Sequence, residues 1–237
     1  MGNFLRGCGI LCLYFIPAAS AMMLARRLIR IPDELFRKLL HFVLQVSYIL
    51  FVFAFDTWWE SALFGFIIVA VAYPIFTLLG RTKTFSAFVN ERKAGEFRSS
   101  LVLAFVMLAV CNAVCWGWLG DRCFGLACMY AWGVGDGFAA LVGKRYGRHK
   151  LRFKYADHRK SREGSAAMFV TSSLAVAAVL VLHGHAGPLA CVLVPLAGAG
   201  VSTFTEMVTP NGMDTVTCPA AAMAVMVPLM ILLGGFA

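Results

Sequence analysis

Apolar runs of close to 20 residues, each stopped by a short polar or basic stretch, recur along the whole chain. A helix needs about 20 apolar residues to cross a hydrocarbon core about 30 Å thick. Such runs fall at 8–25, 36–54, 59–79, 99–119, 123–143, 164–182, 187–206 and 215–235. The seventh is the least regular, since it holds Pro195 and several glycines. The pattern predicts an all-α fold: a polytopic membrane bundle of about eight transmembrane helices, with residues 1–237 forming a single transmembrane domain.

Composition agrees with a lipid solvent. The chain has 237 residues, 60% of them hydrophobic and 14% charged, where a soluble domain carries about 25% charged residues. A formal charge of +9 raises the question of nucleic acid. The cations, however, sit in short loops between apolar runs rather than on a polar domain, which argues against a nucleic-acid partner. Of the 21 Lys and Arg residues, all except Arg6 and Arg122 fall in the first, third and fifth loops or their flanks. The positive-inside rule then places those loops in the cytoplasm and both termini on the other side. Arg26, Arg27 and Arg30 directly follow the first run, which suits a retained helix better than a cleaved signal peptide despite the Ala19-Ser20-Ala21 stretch. The start Met1–Arg6 lacks the Ser or Thr at its sixth position that myristoylation uses.

The eight cysteines form no CxxC pair. Six of them, Cys8, Cys12, Cys111, Cys115, Cys191 and Cys218, lie inside apolar runs and read as small buried apolar residues. Cys123 and Cys128 stand near a water-facing end, and His183 with His185 makes a weak HxH that lacks obvious partners.

The most informative stretch is Trp132–Gly164. It puts Asp136 among Gly133, Gly135 and Gly137 within an apolar run, then continues through Gly143 and Gly147 into the most basic loop of the protein. A carboxylate at membrane depth costs about 2.5–3.5 kcal/mol on insertion scales, so it asks for a functional explanation. The topology gathers Arg37, Lys38, His41, Asp136, Glu163, Glu206 and Asp214 on the cytoplasmic side. Carboxylates suit Mg²⁺, which is held by one or two of them together with substrate phosphates. Lys and Arg supply the donors that phosphates need. The glycines let backbone approach either a phosphate or a neighbouring helix. No GxxxxGK[ST] loop is present.

The run GDGFAALVGKRYG followed by HRKSREGSAAMF resembles the CTP-dependent lipid-alcohol kinases, the group of dolichol kinase, phytol kinase and fungal-type diacylglycerol kinase. ELFRKLLHF (34–42) is similar to the family's RKxxH segment and NERKAGEFRSS (90–100) to its GE-x-R-x-S loop. Glu206 with NGMDTVTCP (211–219) is similar to its Glu followed by Asp-Asn-x-Thr-x-Pro. At that last element Thr215 follows Asp214 where the family has Asn, so the amide is missing here.

The resemblance implies transfer of the γ-phosphoryl group of CTP to the hydroxyl of a lipid alcohol, in a nucleotide-site core at about 34–219 with its main cytoplasmic loop at 144–163. It implies a catalytic Asp136, which would bind the metal or take the hydroxyl proton. Phosphate contacts would come from Arg37, Lys38, Gly135, Gly137, Gly143, Lys144, Arg145, Lys160, Ser161 and Gly164. Asp136, Glu163, Glu206 and Asp214 would hold Mg²⁺ or another divalent cation, and His41, Glu96 and Arg98 would support the site. The expected partners are CTP, a polyprenol, phytol-like or diacylglycerol substrate, and the bilayer. The membrane would be the cytoplasmic one in a bacterium, or an ER-type or plastid membrane in a eukaryote.

Plainer readings stand beside each assignment. Asp136 can serve a structural ion pair, the basic loop can fix topology and attract anionic headgroups, and Arg37 and Lys38 can snorkel. His41 taken alone suits a satisfied core histidine. Two other activities remain open: a CTP:phosphatidate cytidylyltransferase, whose longer C-terminal signature is not found here, and a transporter relaying protons through its carboxylates, which would call for repeats the chain does not display.

Overall fold

The computed structural model describes residues 2–80, 95–154, 156–184, 186–209 and 212–236, apart from the side chains of Leu79 and Glu96. The chain is an all-helical polytopic membrane bundle. Among the described residues, eight helices are long and apolar enough to cross a bilayer. They are α1 (Gly2–Leu28), α2 (Asp33–Phe53), α3 (Trp58–Leu79), α4 (Glu96–Cys111), α5 (Arg122–Tyr146), α6 (Arg162–His183), α7 (Ala190–Val208) and α8 (Asp214–Leu232). A π-helical turn, Asn112–Trp118, extends α4. No strand occurs among the described residues; the nearest feature is an isolated antiparallel bridge between Lys150 and Ser161.

The helices match the apolar runs, with their ends displaced outward in several places. The first helix begins six residues before its run because Asn3 and Arg6, although polar, are compatible with helix and sit at its exposed end. Pro195 does not interrupt α7 and is buried within it. A proline is tolerated in a membrane helix when neighbouring helices compensate for the lost backbone bond.

The helices form two compact units, residues 1–109 and 110–237. In the first, Phe51, Phe55, Phe64 and Phe105 build an aromatic core with ring centroids 5.4–6.4 Å apart. Gly7 lets α1 approach the end of α2, since a Cβ there would lie 2.7 Å from the Ala54 carbonyl oxygen. Tyr14 donates to the Val43 carbonyl at 2.7 Å, and Arg26 pairs with Asp33 while its guanidinium lies over the Phe36 ring. The rest of α1 shows Leu13, Ile16 and Leu24 outward, as a helix facing lipid tails would. Cys12 is exposed on it, unlike the buried Cys111, Cys115 and Cys218, because an apolar run in a membrane helix has an outer face as well as an inner one.

The second unit is built around α5, the most enclosed helix of the eight. Its small residues explain this, because membrane helices associate by close packing rather than by a hydrophobic drive. α5 and α6 run antiparallel: Gly143 meets Gly164 near one end, and Ser172 donates to the Ala131 carbonyl at 2.7 Å further along. A Cβ on Gly135 would fall 2.1 Å from Ser172 Oγ, and one on Gly164 would fall 2.9 Å from the Ala139 carbonyl. α7 and α8 join by the same device, with Gly198 against Met226.

Candidate active site

The candidate site lies in the second unit, where the loop 147–161 folds against the C-terminal end of α7. Asp157 N–H donates to the Met207 carbonyl at 2.9 Å. Lys160 then reaches across: its Nζ donates to the Glu206 backbone carbonyl and lies 2.8 Å from Glu206 Oε1 and 3.3 Å from the Thr209 carbonyl. Both side chains are largely enclosed, at 20% and 9% exposure. A buried charge pair is tolerated when further hydrogen bonds satisfy it, and here two carbonyls do so for the ammonium.

Two more carboxylates stand near this pair. Asp136, from the middle of α5, and Asp214, the first residue of α8, both act electrostatically on Glu206 and on the buried Cys218. Four segments remote in sequence therefore deliver Asp136, Lys160, Glu206 and Asp214 to one neighbourhood. One or two of these carboxylates, completed by phosphate oxygens, would make a donor set of the hard, all-oxygen kind that Mg²⁺ takes.

Around this centre the cations are exposed. Lys144, Arg145, Arg148, Lys150, Arg152 and Lys154 all face outward, with Arg145 stacked 5.4 Å from the Tyr146 ring centroid. Within the loop itself, Arg159 grips Asp157 through two nitrogens, at 3.0 and 2.8 Å. That guanidinium holds the Asp157 carboxyl down at about 2.

The remaining sequence candidates fall into distinct settings. Ser161 is the N-cap of α6: its Oγ accepts from Gly164 N–H at 3.2 Å and is buried. Glu163 turns to His149, with its carboxylate 2.6 Å from Nδ1 and accepting from the His149 N–H at 3.1 Å, so its partner here is a basic neighbour. Gly135, Gly143 and Gly164 sit in the α5–α6 contact, and Gly137 is buried on α5. Arg37, Lys38 and His41 belong to α2 in the first unit. There Arg37 bonds Glu34 at 2.6 Å, Lys38 is buried, and His41 Nε2 lies 3.5 Å from Gln45 Nε2. Arg98 donates to Thr77 Oγ1 at 2.9 Å on the same unit. Glu96 opens α4, and its side chain lies outside the described residues, as do residues 90–94 of the 90–100 segment quoted above.

One cluster escapes sequence reasoning. Asp121, Cys123 and His183 bring a carboxylate oxygen, a thiol sulfur and an imidazole nitrogen within 4.8 Å of one another at the opposite end of the α5–α6 pair. Asp121 caps α5 by accepting from Phe124 N–H at 2.9 Å and meets His183 Nε2 at 3.0 Å. The Asp-x-Cys spacing was legible, but the histidine joins it only through the antiparallel register of α5 and α6, 62 residues away from Asp121.

The chain is similar to a curated protein over part of its length. Over 94 residues, 38% of its length, the chain is 39% identical to the phytol kinase of Synechocystis sp., and the matched stretch covers 36% of that protein. The match therefore spans about a third of the relative. No protein-family profile matches the chain, and no solved structure matches it.

Proposed function

We propose that the chain is a membrane lipid-alcohol kinase that moves the γ-phosphoryl group of CTP onto the hydroxyl of a long-chain alcohol. The observation that carries this reading is the convergence of Asp136, Lys160, Glu206 and Asp214 beside a rim of exposed cations. The similarity to a phytol kinase supports the reaction class, while the choice of CTP rests on the sequence resemblance alone.

Phosphoryl transfer makes little covalent demand on a protein; it asks for positioning and for neutralised charge. In the proposed reaction the alcohol O–H bond breaks as its oxygen bonds to the γ-phosphorus, and the bond from that phosphorus to the β–γ bridging oxygen breaks to release CDP. Asp136 receives the proton or helps to hold a divalent cation with Glu206 and Asp214. Such a cation would neutralise the phosphate oxygens. The exposed Lys144, Arg145 and Arg148 draw the triphosphate in, and Lys160 exchanges part of its bonding to Glu206 for phosphate oxygen. A nucleotide approaching from the cytoplasm fits the charge bias of the loops.

The test is product analysis with purified protein in detergent, labelled CTP or ATP, and a panel of lipid alcohols. A phosphorylated lipid together with CDP supports the reading. A CDP-lipid with diphosphate would instead make the protein a cytidylyltransferase, and ATP preference would remove the CTP assignment.

A further inference from the structure

Asp121, Cys123 and His183 come together at the end of the α5–α6 pair away from Lys160, and the proposed phosphoryl transfer uses none of them. A carboxylate oxygen, the thiol sulfur and an imidazole nitrogen all lie within 4.8 Å of one another. Around a tetrahedral zinc ion such atoms stand about 3.4–3.6 Å apart, given Zn–O and Zn–N of about 2.1 Å and Zn–S of about 2.3 Å. Asp121 Oδ1 and His183 Nε2 are already 3.0 Å apart. Side-chain rotations of about 1 Å would bring all three donors onto one ion with no backbone movement.

The backbone holds each of the three in place. Gly120 turns the chain with φ +76°, and the Asp121 N–H then donates to the Cys115 carbonyl at 2.9 Å. Asp121 Oδ1 in turn caps α5 by accepting from Phe124 N–H at 2.9 Å. Cys123 follows in the first turn of α5, where it is buried. His183 is the last residue of α6, and Gly184, with φ +75°, closes that helix by donating to the Leu180 carbonyl at 3.1 Å. Close contacts at Gly135 and Gly164 fix the register that sets the histidine opposite the other two. A site built on helix ends held this firmly is organised before its ligand arrives.

We propose that Asp121, Cys123 and His183 bind a divalent transition-metal ion of the zinc type, which clips the start of α5 to the end of α6. An ion pair and a helix cap account for Asp121 and His183, but not for the free thiol beside them. That thiol selects the ion: sulfur and imidazole nitrogen suit Zn²⁺, whereas Mg²⁺ and Ca²⁺ take oxygen. On binding, the thiol gives its proton to water and the imidazole binds as the neutral ring, its proton on the nitrogen away from the metal. Thiolate and carboxylate together balance the two charges of the ion, so the loaded site adds no net charge at the edge of a membrane span, where charge is costly. A carboxylate offers about four lone-pair positions, so the cap to Phe124 and the metal do not compete. The His183 side chain is 23% exposed, which opens the cluster to water for ion entry and for the fourth position of the tetrahedron. Arg122, between the other two, is exposed. His185, which completes the HxH of the sequence, lies outside the described residues. The site stands apart from the kinase reading, and its test needs no turnover.

The test uses the full chain in detergent, freed of any histidine tag and stripped with a chelator, with Co²⁺ as the spectroscopic probe for Zn²⁺. A single Co²⁺ per chain is expected, with a sulfur-to-cobalt charge-transfer band and the visible bands of tetrahedral cobalt, both lost on adding Zn²⁺ and kept in excess Mg²⁺. Cys123→Ser should remove the charge-transfer band. Exchanging Cys8 and Cys12 on α1 for serine, the most accessible thiols of that helix, should leave it intact. His183→Ala and Asp121→Asn should each weaken Co²⁺ binding at least about a hundredfold, since losing a residue that merely orients a ligand already costs about 10–100-fold. Asparagine caps helices as well as aspartate does, so a loss in Asp121→Asn is a loss of the ligand and not of the fold. Zn²⁺ at about a hundred times its Kd should raise the thermal midpoint of the parent by about 5–10 °C and leave that of Asp121→Asn where it was. A parent without the band, a band that survives Cys123→Ser, displacement by Mg²⁺ as readily as by Zn²⁺, or unchanged affinity in both His183→Ala and Asp121→Asn would each overturn the assignment.

Discussion

The antiparallel pair of α5 and α6 carries a polar cluster at each end, and the two clusters differ more in their surroundings than in their residues. At one end Asp121 caps α5, meets His183, and lies beside Cys123, so that its Oδ1 already has two protein partners. At the other end Lys160 and Glu206 pair near two further carboxylates, and the loop around them exposes cation after cation. Charged residues inside a membrane bundle can close on one another beneath a neutral surface, or gather beneath a rim of exposed cations that an anionic ligand would meet. The exposed rim marks the Lys160 end as the second kind.

The comparison is broken most sharply by Asp136→Asn. If Asp136 takes the proton or holds the cation, turnover should fall at least about a hundredfold, the lower end of what a positioned acid or base contributes. Size-exclusion behaviour and thermal midpoint should stay near those of the parent. Near-normal turnover would return Asp136 to a purely structural role.

Lys160→Met follows. It leaves Glu206 buried opposite nothing, and breaking a buried pair costs about 3–5 kcal/mol, nearer the lower figure here because the lysine keeps some exposure. The thermal midpoint should fall and the KM for CTP should rise. Adding Glu206→Gln should restore the midpoint without restoring activity, which separates the packing role of the pair from its proposed role with phosphate. Recovery of activity in the double variant would show that the pair serves the fold alone.

At the closed end, Asp121→Ala removes a helix cap worth about 1 kcal/mol and strips His183 of its carboxylate. A modest drop in thermal midpoint with unaltered KM for either substrate is expected. A large kinetic defect would join the two ends into one functional system.

These contrasts were unevenly legible in the sequence. The eight helices were readable because a run of apolar residues the length of a bilayer has few other uses, and only their ends moved, since Asn3 and Arg6 continue a helix as well as they end an apolar run. Alternating loops suggested a gathering of Arg37, Lys38, His41, Asp136, Glu163, Glu206 and Asp214 on one face; in the structure Arg37, Lys38 and His41 belong to the first unit and Glu163 turns to His149, while Asp136 and Asp214 act on Glu206. The partners of the site residues were not legible. That Ser161 caps α6, that Glu163 turns to His149, and that Gly143 meets Gly164 all depend on the register of two helices, and register in a membrane bundle is set by small-residue packing that no periodicity announces.

The smallest effect expected concerns how the loop is held. Asp157 and Arg159 clamp the turn that places Lys160 beside Glu206, and the guanidinium lowers the Asp157 carboxyl from 3.8 to about 2. A carboxyl depressed in the folded state stabilises that state above its unfolded value and loses the contribution as pH falls toward the folded one. The turn should therefore be held fully above pH 4 and loosen between about 4 and 2. Arg159 is exposed, so solvent screens the pair and its contribution is small. Hydrogen exchange at the Lys160 amide, which donates to the Asp157 carbonyl at 2.9 Å, should quicken over that pH interval relative to amides in α6. In Asp157→Asn the acid-induced difference should vanish. A parent and a variant that respond alike to acid would show that the turn is held by its backbone bonds to Met207 and Asp157, with the clamp adding nothing.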